Sequence, residues 1–201
     1  MRKGQSSNRR SAMKVTGGRV QKKNNQSYTG GYYNAAMPYI VIDRQRPGKG
    51  YKHLLSNIGI HAFLDLLPER EKLLDGLNAI VLAAGDPERF GFYSPGVVGI
   101  CAWPRDLWRE FSLDGCEVER FWLDKLGVPC ETEDGFVRCK FDEVTARGHQ
   151  LLGTLLHELG HHHDLMTTRS QARVARGESY AFAYSRKYTE VIFESYQKSF
   201  G

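Results

Sequence analysis

Apolar positions show almost no periodicity over the first 35 residues and then recur at spacings that change from one segment to the next. From Pro38 onward, Tyr39-Ile40-Val41-Ile42 is the short apolar run of a strand, Leu54 to Leu67 has helical spacing up to Pro68, and the helical signal resumes from Glu69 to Leu77. Leu77-Asn78-Ala79-Ile80-Val81-Leu82 predicts a buried strand ended by Ala84-Gly85-Asp86-Pro87, and Gly96 to Trp103 predicts another, ended by Pro104. Pro104 to Phe111 and Glu117 to Leu126 read as short helices, the second with Phe121, Trp122 and Leu126 on one side. Gly135 to Phe141 alternates apolar and polar residues, as a half-buried strand does. Two long helices, Val144 to about Thr168 and Gly177 to about Phe200, close the chain, and no internal repeat is visible. The expectation is an α+β fold, a small mixed sheet packed on these two helices.

Length and composition change the picture only at the N-terminus. A chain of 201 residues with 41% hydrophobic content suits one compact domain with an appendage. Residues 1–24 carry Arg2, Lys3, Arg9, Arg10, Lys14, Arg19, Lys22 and Lys23 and no acid, so the tail holds +8 while the whole chain is only +5. Residues 1–35 are therefore expected to be a disordered basic tail, and 36–201 the folded domain. Contact of the tail with nucleic acid is the less favoured reading, because aromatic residues enter only at Tyr28, Tyr32 and Tyr33. No apolar run reaches the ~20 residues of a membrane span and the basic start has no apolar core behind it, so the expected location is cytoplasmic. Cys101, Cys116, Cys130 and Cys139 show no zinc-knuckle or redox-pair spacing and are expected to be mostly reduced; Cys130 and Cys139 flank the turn-like 131–135 segment and could face each other across a hairpin.

Chemistry enters at His157-Glu158-Leu159-Gly160-His161, an H-E-x-x-H pattern inside the first long helix. Four helical residues return to nearly the same face about 6 Å further along the axis, so two imidazoles at that spacing can grip one ion. Leu152, Leu155, Leu156, Leu159 and Met166 form an apolar stripe, while Gln150, Thr154, His157, His161, Asp164 and Thr168 recur on another face. Glu158, beside the first histidine, is placed to act as general base on a water whose pKa the metal has lowered. A catalytic zinc takes a third protein ligand. Glu178, in the first turn of the last helix and followed at i+3 by the small Ala181, is the expected one; Asp164 is the rival, either as ligand or as partner to a ligand imidazole. His162 and His163 are expected to be solvated, and His53, His61 and His149 to be structural.

With these residues in place, the chain resembles the zincin metallopeptidases, specifically the branch with a glutamate ligand, through His157-Glu158-Leu159-Gly160-His161 and the downstream Glu178-Ser179-Tyr180-Ala181. The branch with a third histidine is a poorer match, since Asp164 and Thr167 stand at its Gly and His positions. The resemblance implies a zincin-like fold with one Zn2+ per chain, in which Gly96 to Trp103 is the edge strand along the cleft and Gly135 to Phe141 leads into the zinc helix. It also implies hydrolysis of a peptide or protein substrate, and an oxyanion donor for which Tyr184, and after it Tyr180, is the candidate. One position departs: the family often has Asp four residues after the glutamate ligand, bracing a histidine, where this chain has Phe182. Two other functions fit the same residues: zinc hydrolysis of a non-peptide amide or ester, and a zinc-containing regulatory or binding protein whose basic tail contacts nucleic acid.

Overall fold

A computed structural model of the chain describes residues 15–16, 19–20, 31–34, 36–168 and 176–201. The tail expected to be disordered, 1–35, lies for the most part outside the described residues. The described pieces of it are two short antiparallel strands, β1 (Val15–Thr16) and β2 (Arg19–Val20), and a single 3-10 turn, Gly31–Tyr33. Tyr32 in that turn is buried and donates its hydroxyl to Asp43 Oδ2 at 2.7 Å, so the packed domain already includes this residue.

The fold is mixed α+β. A four-stranded sheet runs in the order β3 (Val41–Arg44), β5 (Ala79–Ala83), β7 (Val97–Cys101), β6 (Gly91–Ser94). The first three are parallel and β6 is antiparallel to β7. Every residue of β5 and β7 is buried, the pattern of strands covered on both faces. Ile80, Leu82, Val98 and Ile100 point into the main core, with α1 (Asn57–Leu64) and the leucines of the long helices, while Val41, Ala79, Val81 and Val97 pack against Tyr32, Met37 and Phe92 on the other face. Between the parallel strands β3 and β5 the chain passes through the two-residue strand β4 (Tyr51–Lys52), α1, and the short α2 (Arg70–Leu73), which ends the helical signal earlier than its apolar spacing implied.

Two expectations for the middle of the chain are corrected. Gly96 to Trp103 is not an edge: β7 has β5 on one side and β6 on the other, and the edge on that side is β6. The residues 91–94 fold back on β7 through Pro95-Gly96, with Gly96 at φ 75°, a backbone conformation L-residues resist. Pro104 to Phe111 is not a helix either. The chain there forms β8 (Trp103–Pro104), paired to β4, and then β9 (Trp108–Ser112), in which Arg109 and Phe111 turn inward and Trp108, Glu110 and Ser112 outward. That period of two outweighs a run whose composition alone looks helical. β9 joins β10 (Cys130–Glu133) and β11 (Phe136–Lys140) in an antiparallel sheet of order β10-β11-β9, separate from the first. Cys130 and Cys139 are directly opposed in its hairpin and are disulfide-bonded, against the expectation of mostly reduced cysteines; Cys101 and Cys116 are free and buried. Between β9 and β10 lies α3 (Leu113–Leu126), begun by Ser112, whose side chain accepts from Gly115 N–H, and longer than its apolar pattern implied.

The helix expected from Val144 to Thr168 is continuous but changes pitch. α4 (Glu143–Gly148) opens on a capping box in which Asp142 and Thr145 satisfy each other's backbone N–H. His149–Leu155 is π-helical and entirely buried, and α5 (Leu156–Thr167) carries the H-E-x-x-H residues. α6 (Gly177–Phe200) then packs along α5 and the π segment. Thr189 of α6 donates to the carbonyl of Leu152 at 3.1 Å and receives Trp122 Nε1–H at 3.3 Å, which ties the widened turn to α6 and α3. Among the described residues no helix is long and apolar enough to cross a membrane.

The two helices meet at Gly160. A Cβ there would lie 2.9 Å from Ala181 Cα and 3.2 Å from its carbonyl oxygen, both backbone atoms that cannot give way cheaply. At Gly153 the same methyl would touch His149 and Trp122 at 3.7 Å, an ordinary contact. Gly160→Ala is therefore expected to lower stability, because overpacking of about 1–3 kcal/mol exceeds the ~1 kcal/mol of helix propensity gained, whereas Gly153→Ala should hold or raise it. Thermal denaturation of the two variants beside the parent checks this; equal shifts would mean that the crossing is not close.

Candidate functional site

The first turn of α6 lies over α5 and brings Glu178 to the two histidines. His157 Nε2 and His161 Nε2 are 3.2 Å apart, and the Glu178 carboxylate is 3.1 Å from the former through Oε2 and 3.3 Å from the latter through Oε1. A tetrahedron with edges of this length has its centre about 2 Å from each corner, the bond length of zinc to nitrogen and oxygen. Two ring nitrogens and a carboxylate that converge in this way are all acceptors unless a proton or a cation sits among them. The three residues thus form a group able to hold a metal ion.

Glu178 is mostly exposed, so its position comes from the backbone that carries it. Asp164, fully buried, is what anchors that backbone. Its Oδ2 accepts the N–H of Arg176 at 2.8 Å and of Gly177 at 3.2 Å, its Oδ1 takes the Arg176 guanidinium, and Arg176 also reaches Thr167 Oγ1. Asp164 is therefore neither a third ligand nor a partner to an imidazole; it fixes the entry to α6. Burial works against its charge, and the donors of Arg176 and Gly177 outweigh it, holding the carboxyl below its ordinary range.

Glu158 faces a cavity of about 700 Å³ that also holds the three ligand candidates. Opposite it is Gly91 on β6, where a Cβ would come within 2.8 Å of Glu158 Oε1 and 2.6 Å of Thr154 Cγ2, so only glycine lets the edge strand lie this close to the carboxylate. Burial, and then the negative charge of Glu178, push Glu158 up to about 8. Burial, then the neighbouring His161, hold His157 below the usual imidazole value. His157 Nδ1 is buried and makes no hydrogen bond among the described residues; the Phe182 ring packs against this imidazole at a centroid distance of 4.5 Å.

Other expected residues fall elsewhere. Tyr184 does not line the cavity. Its ring is buried behind α5 against His163, Tyr180 and Tyr188, so the oxyanion donor expected of it is not placed there. Tyr180 hydrogen-bonds His163 Nδ1 at 2.8 Å and stacks on Arg176. His162 is buried, with Nε2 on the carbonyl of Asp75, and His163 is half-buried, which corrects the expectation that both are solvated. His53 Nε2 holds the carbonyl of Gln45, a structural contact as expected. Gln150, expected on the histidine face, donates instead to the carbonyl of Cys101. His149 and Gly153 take that side of the helix, because π-helical residues advance by more than four per turn. Sequence reading passed over Glu119, which lies on the cavity wall and hydrogen-bonds His149 at 2.9 Å; its i+3 neighbour Trp122 on the inner side of α3 was the available signal. Comparison with family models, with curated proteins and with solved structures finds no match to the chain.

Replacing Asp164 by Asn keeps its shape and removes its charge. Because the folded-state value is depressed, the stability it adds is present above the unfolded carboxyl value of about 4 and is lost as pH falls through the folded one. Asp164→Asn should therefore melt roughly 5 °C below the parent at pH 7, with the gap closing towards pH 3. A gap that persists unchanged at low pH would show that the charge is not what holds α6.

Proposed function

We propose that this protein is a zinc-dependent hydrolase of zincin type, acting on peptide bonds, with His157, His161 and Glu178 as ligands and Glu158 as general base. The single observation that carries the reading is the convergence of three ligand atoms at tetrahedral spacing beside a buried carboxylate that is not one of them. A site built only to hold an ion has no use for that fourth group. The mixed sheet supports the same reading, since β6 has a neighbour on one side alone among the described residues and borders the cavity.

Zinc, when bound, supplies a Lewis acid that polarises the scissile carbonyl and acidifies water at its open position. The rest is done by the chain. An extended substrate adds to the free edge of β6, whose backbone N–H and C=O groups align it across the cavity. Glu158 Oε1, fixed beside Gly91, takes a proton from the attacking water as the water oxygen bonds to the carbonyl carbon. The same carboxyl then gives a proton to the amide nitrogen as the C–N bond breaks. A carboxylate held in a buried wall beside the ligands suits that double duty, because it meets both the attacking water and the departing nitrogen without moving.

Elemental analysis of purified protein is expected to give about one zinc per chain, lost in His157→Ala and bound roughly 10–100-fold more weakly in Glu178→Gln. Glu158→Gln should keep the metal and lose at least ~100-fold in peptide hydrolysis. A folded parent that takes up no zinc would end the metal reading, and a zinc-loaded Glu158→Gln with undiminished turnover would end the proposed mechanism.

A further inference from the structure

The cavity has a second polar feature that the hydrolytic chemistry does not use. Glu119 stands in its wall with the side chain 16% exposed, and Oε2 is bound by His149 Nε2 at 2.9 Å. That imidazole is 1% exposed and wedged among Phe90, Trp103 and Phe141, with ring centroids 4.8, 5.5 and 5.7 Å away. It cannot swing out, so the carboxylate it holds is fixed as well. No Lys or Arg among the described residues pairs with Glu119, and Arg89, the basic side chain of the cavity, is taken by Asp86 through two hydrogen bonds of 3.0 and 2.8 Å. Among the described residues Oε1 of Glu119 has no hydrogen-bond partner, and neither has the buried His149 Nδ1.

The surroundings of this carboxylate are aromatic and open. Gly153 forms the floor between His149 and Trp122, where a methyl would fit at 3.7 Å from each, and Phe90 and Phe182 flank it. Charge points the same way: no Lys or Arg among the described residues neutralises Glu119, and Glu88 adds a further carboxylate to the cavity lining.

We propose that this part of the cavity is a specificity subsite for a lysine or arginine side chain of the substrate, its methylene stem lying over Gly153 between the aromatic rings and its cationic head on Glu119. The proposal rests on the peptidase reading of the same cavity. A neutral side chain would leave Oε1 of Glu119 desolvated without a donor, and an acidic one would be repelled.

The test is binding, which does not depend on turnover. Zinc-loaded Glu158→Gln protein is titrated calorimetrically with N-acetylated, C-amidated peptides that differ only in lysine, norleucine or alanine at one position, scanned along the peptide; the acetyl group removes the α-amine as an alternative cation. At one position lysine should bind about 10–100-fold tighter than norleucine. Adding Glu119→Gln, which keeps an oxygen for His149, should reduce that preference to below about twofold. Adding Gly153→Ala instead should weaken lysine binding and spare alanine. Equal affinity for lysine and norleucine at every position overturns the subsite even if the protein cleaves peptides, as does a preference that survives both substitutions. A lysine preference in protein that never hydrolyses a peptide would sustain the subsite and remove the peptidase reading.

Discussion

The contact between Gly160 and Ala181 sets how close α5 and α6 can run, and the site exists because that distance is short. Glu178 is a largely exposed residue in the first turn of a helix whose start, Arg176 and Gly177, is bound to the buried Asp164. Nothing in its own packing would hold its carboxylate within 3.3 Å of two imidazoles. Two backbone constraints do so: the helix axis is fixed by a crossing that only glycine permits, and the helix start is fixed by three donors on a buried carboxylate. Gly160 inside the H-E-x-x-H segment thus has a geometric reason independent of the histidines around it.

The π-helical stretch ahead of α5 is the second constraint. An α-helix through residues 149–155 would have kept Gln150, Thr154 and His157 in one row, as the sequence spacing implies. The wider turn moves His149 and Gly153 to the cavity and turns Gln150 to the backbone of β7's last residue, Cys101. The irregular turn is stable because all seven of its residues are buried and its Leu152 carbonyl is met by Thr189, itself bonded to Trp122. The cavity wall is therefore built from the core itself, which on the proposed reading keeps its groups in register with a substrate.

Much of this was legible in residue spacing, and the limits have identifiable causes. The local signals held: α6 runs from Gly177 to Phe200 as expected, the leucine stripe is buried, and His157, His161 and Glu178 converge as the H-E-x-x-H spacing and the small Ala181 implied. What failed was pairing. Which of two adjacent apolar strands lies at a sheet edge depends on a turn, here Pro95-Gly96, and the less apolar Gly91–Ser94 became the border of the cavity. The role of Asp164 was hidden because its partners, Arg176 and Gly177, lie twelve and thirteen residues away, beyond any helical period. Tyr184 shares a helix with Glu178 but is six residues further on, which on a 3.6-residue turn points it to a different side.

His157 brings these constraints to bear on the proposed chemistry. A ligand imidazole ordinarily gives its second N–H to a carboxylate or carbonyl, which fixes the ring and makes it a stronger donor. Here Asp164 is committed to α6, and the Phe182 ring packs against the imidazole at a centroid distance of 4.5 Å while Nδ1 has no hydrogen-bond partner among the described residues. The Nδ1 side of the ring is held by packing rather than by a hydrogen bond. On the hydrolytic reading, such a ligand donates less charge, so the metal is bound less tightly and remains a stronger Lewis acid. On that reading the acidity of the attacking water rests on the ion, and Glu158, fixed beside Gly91, has only to receive its proton.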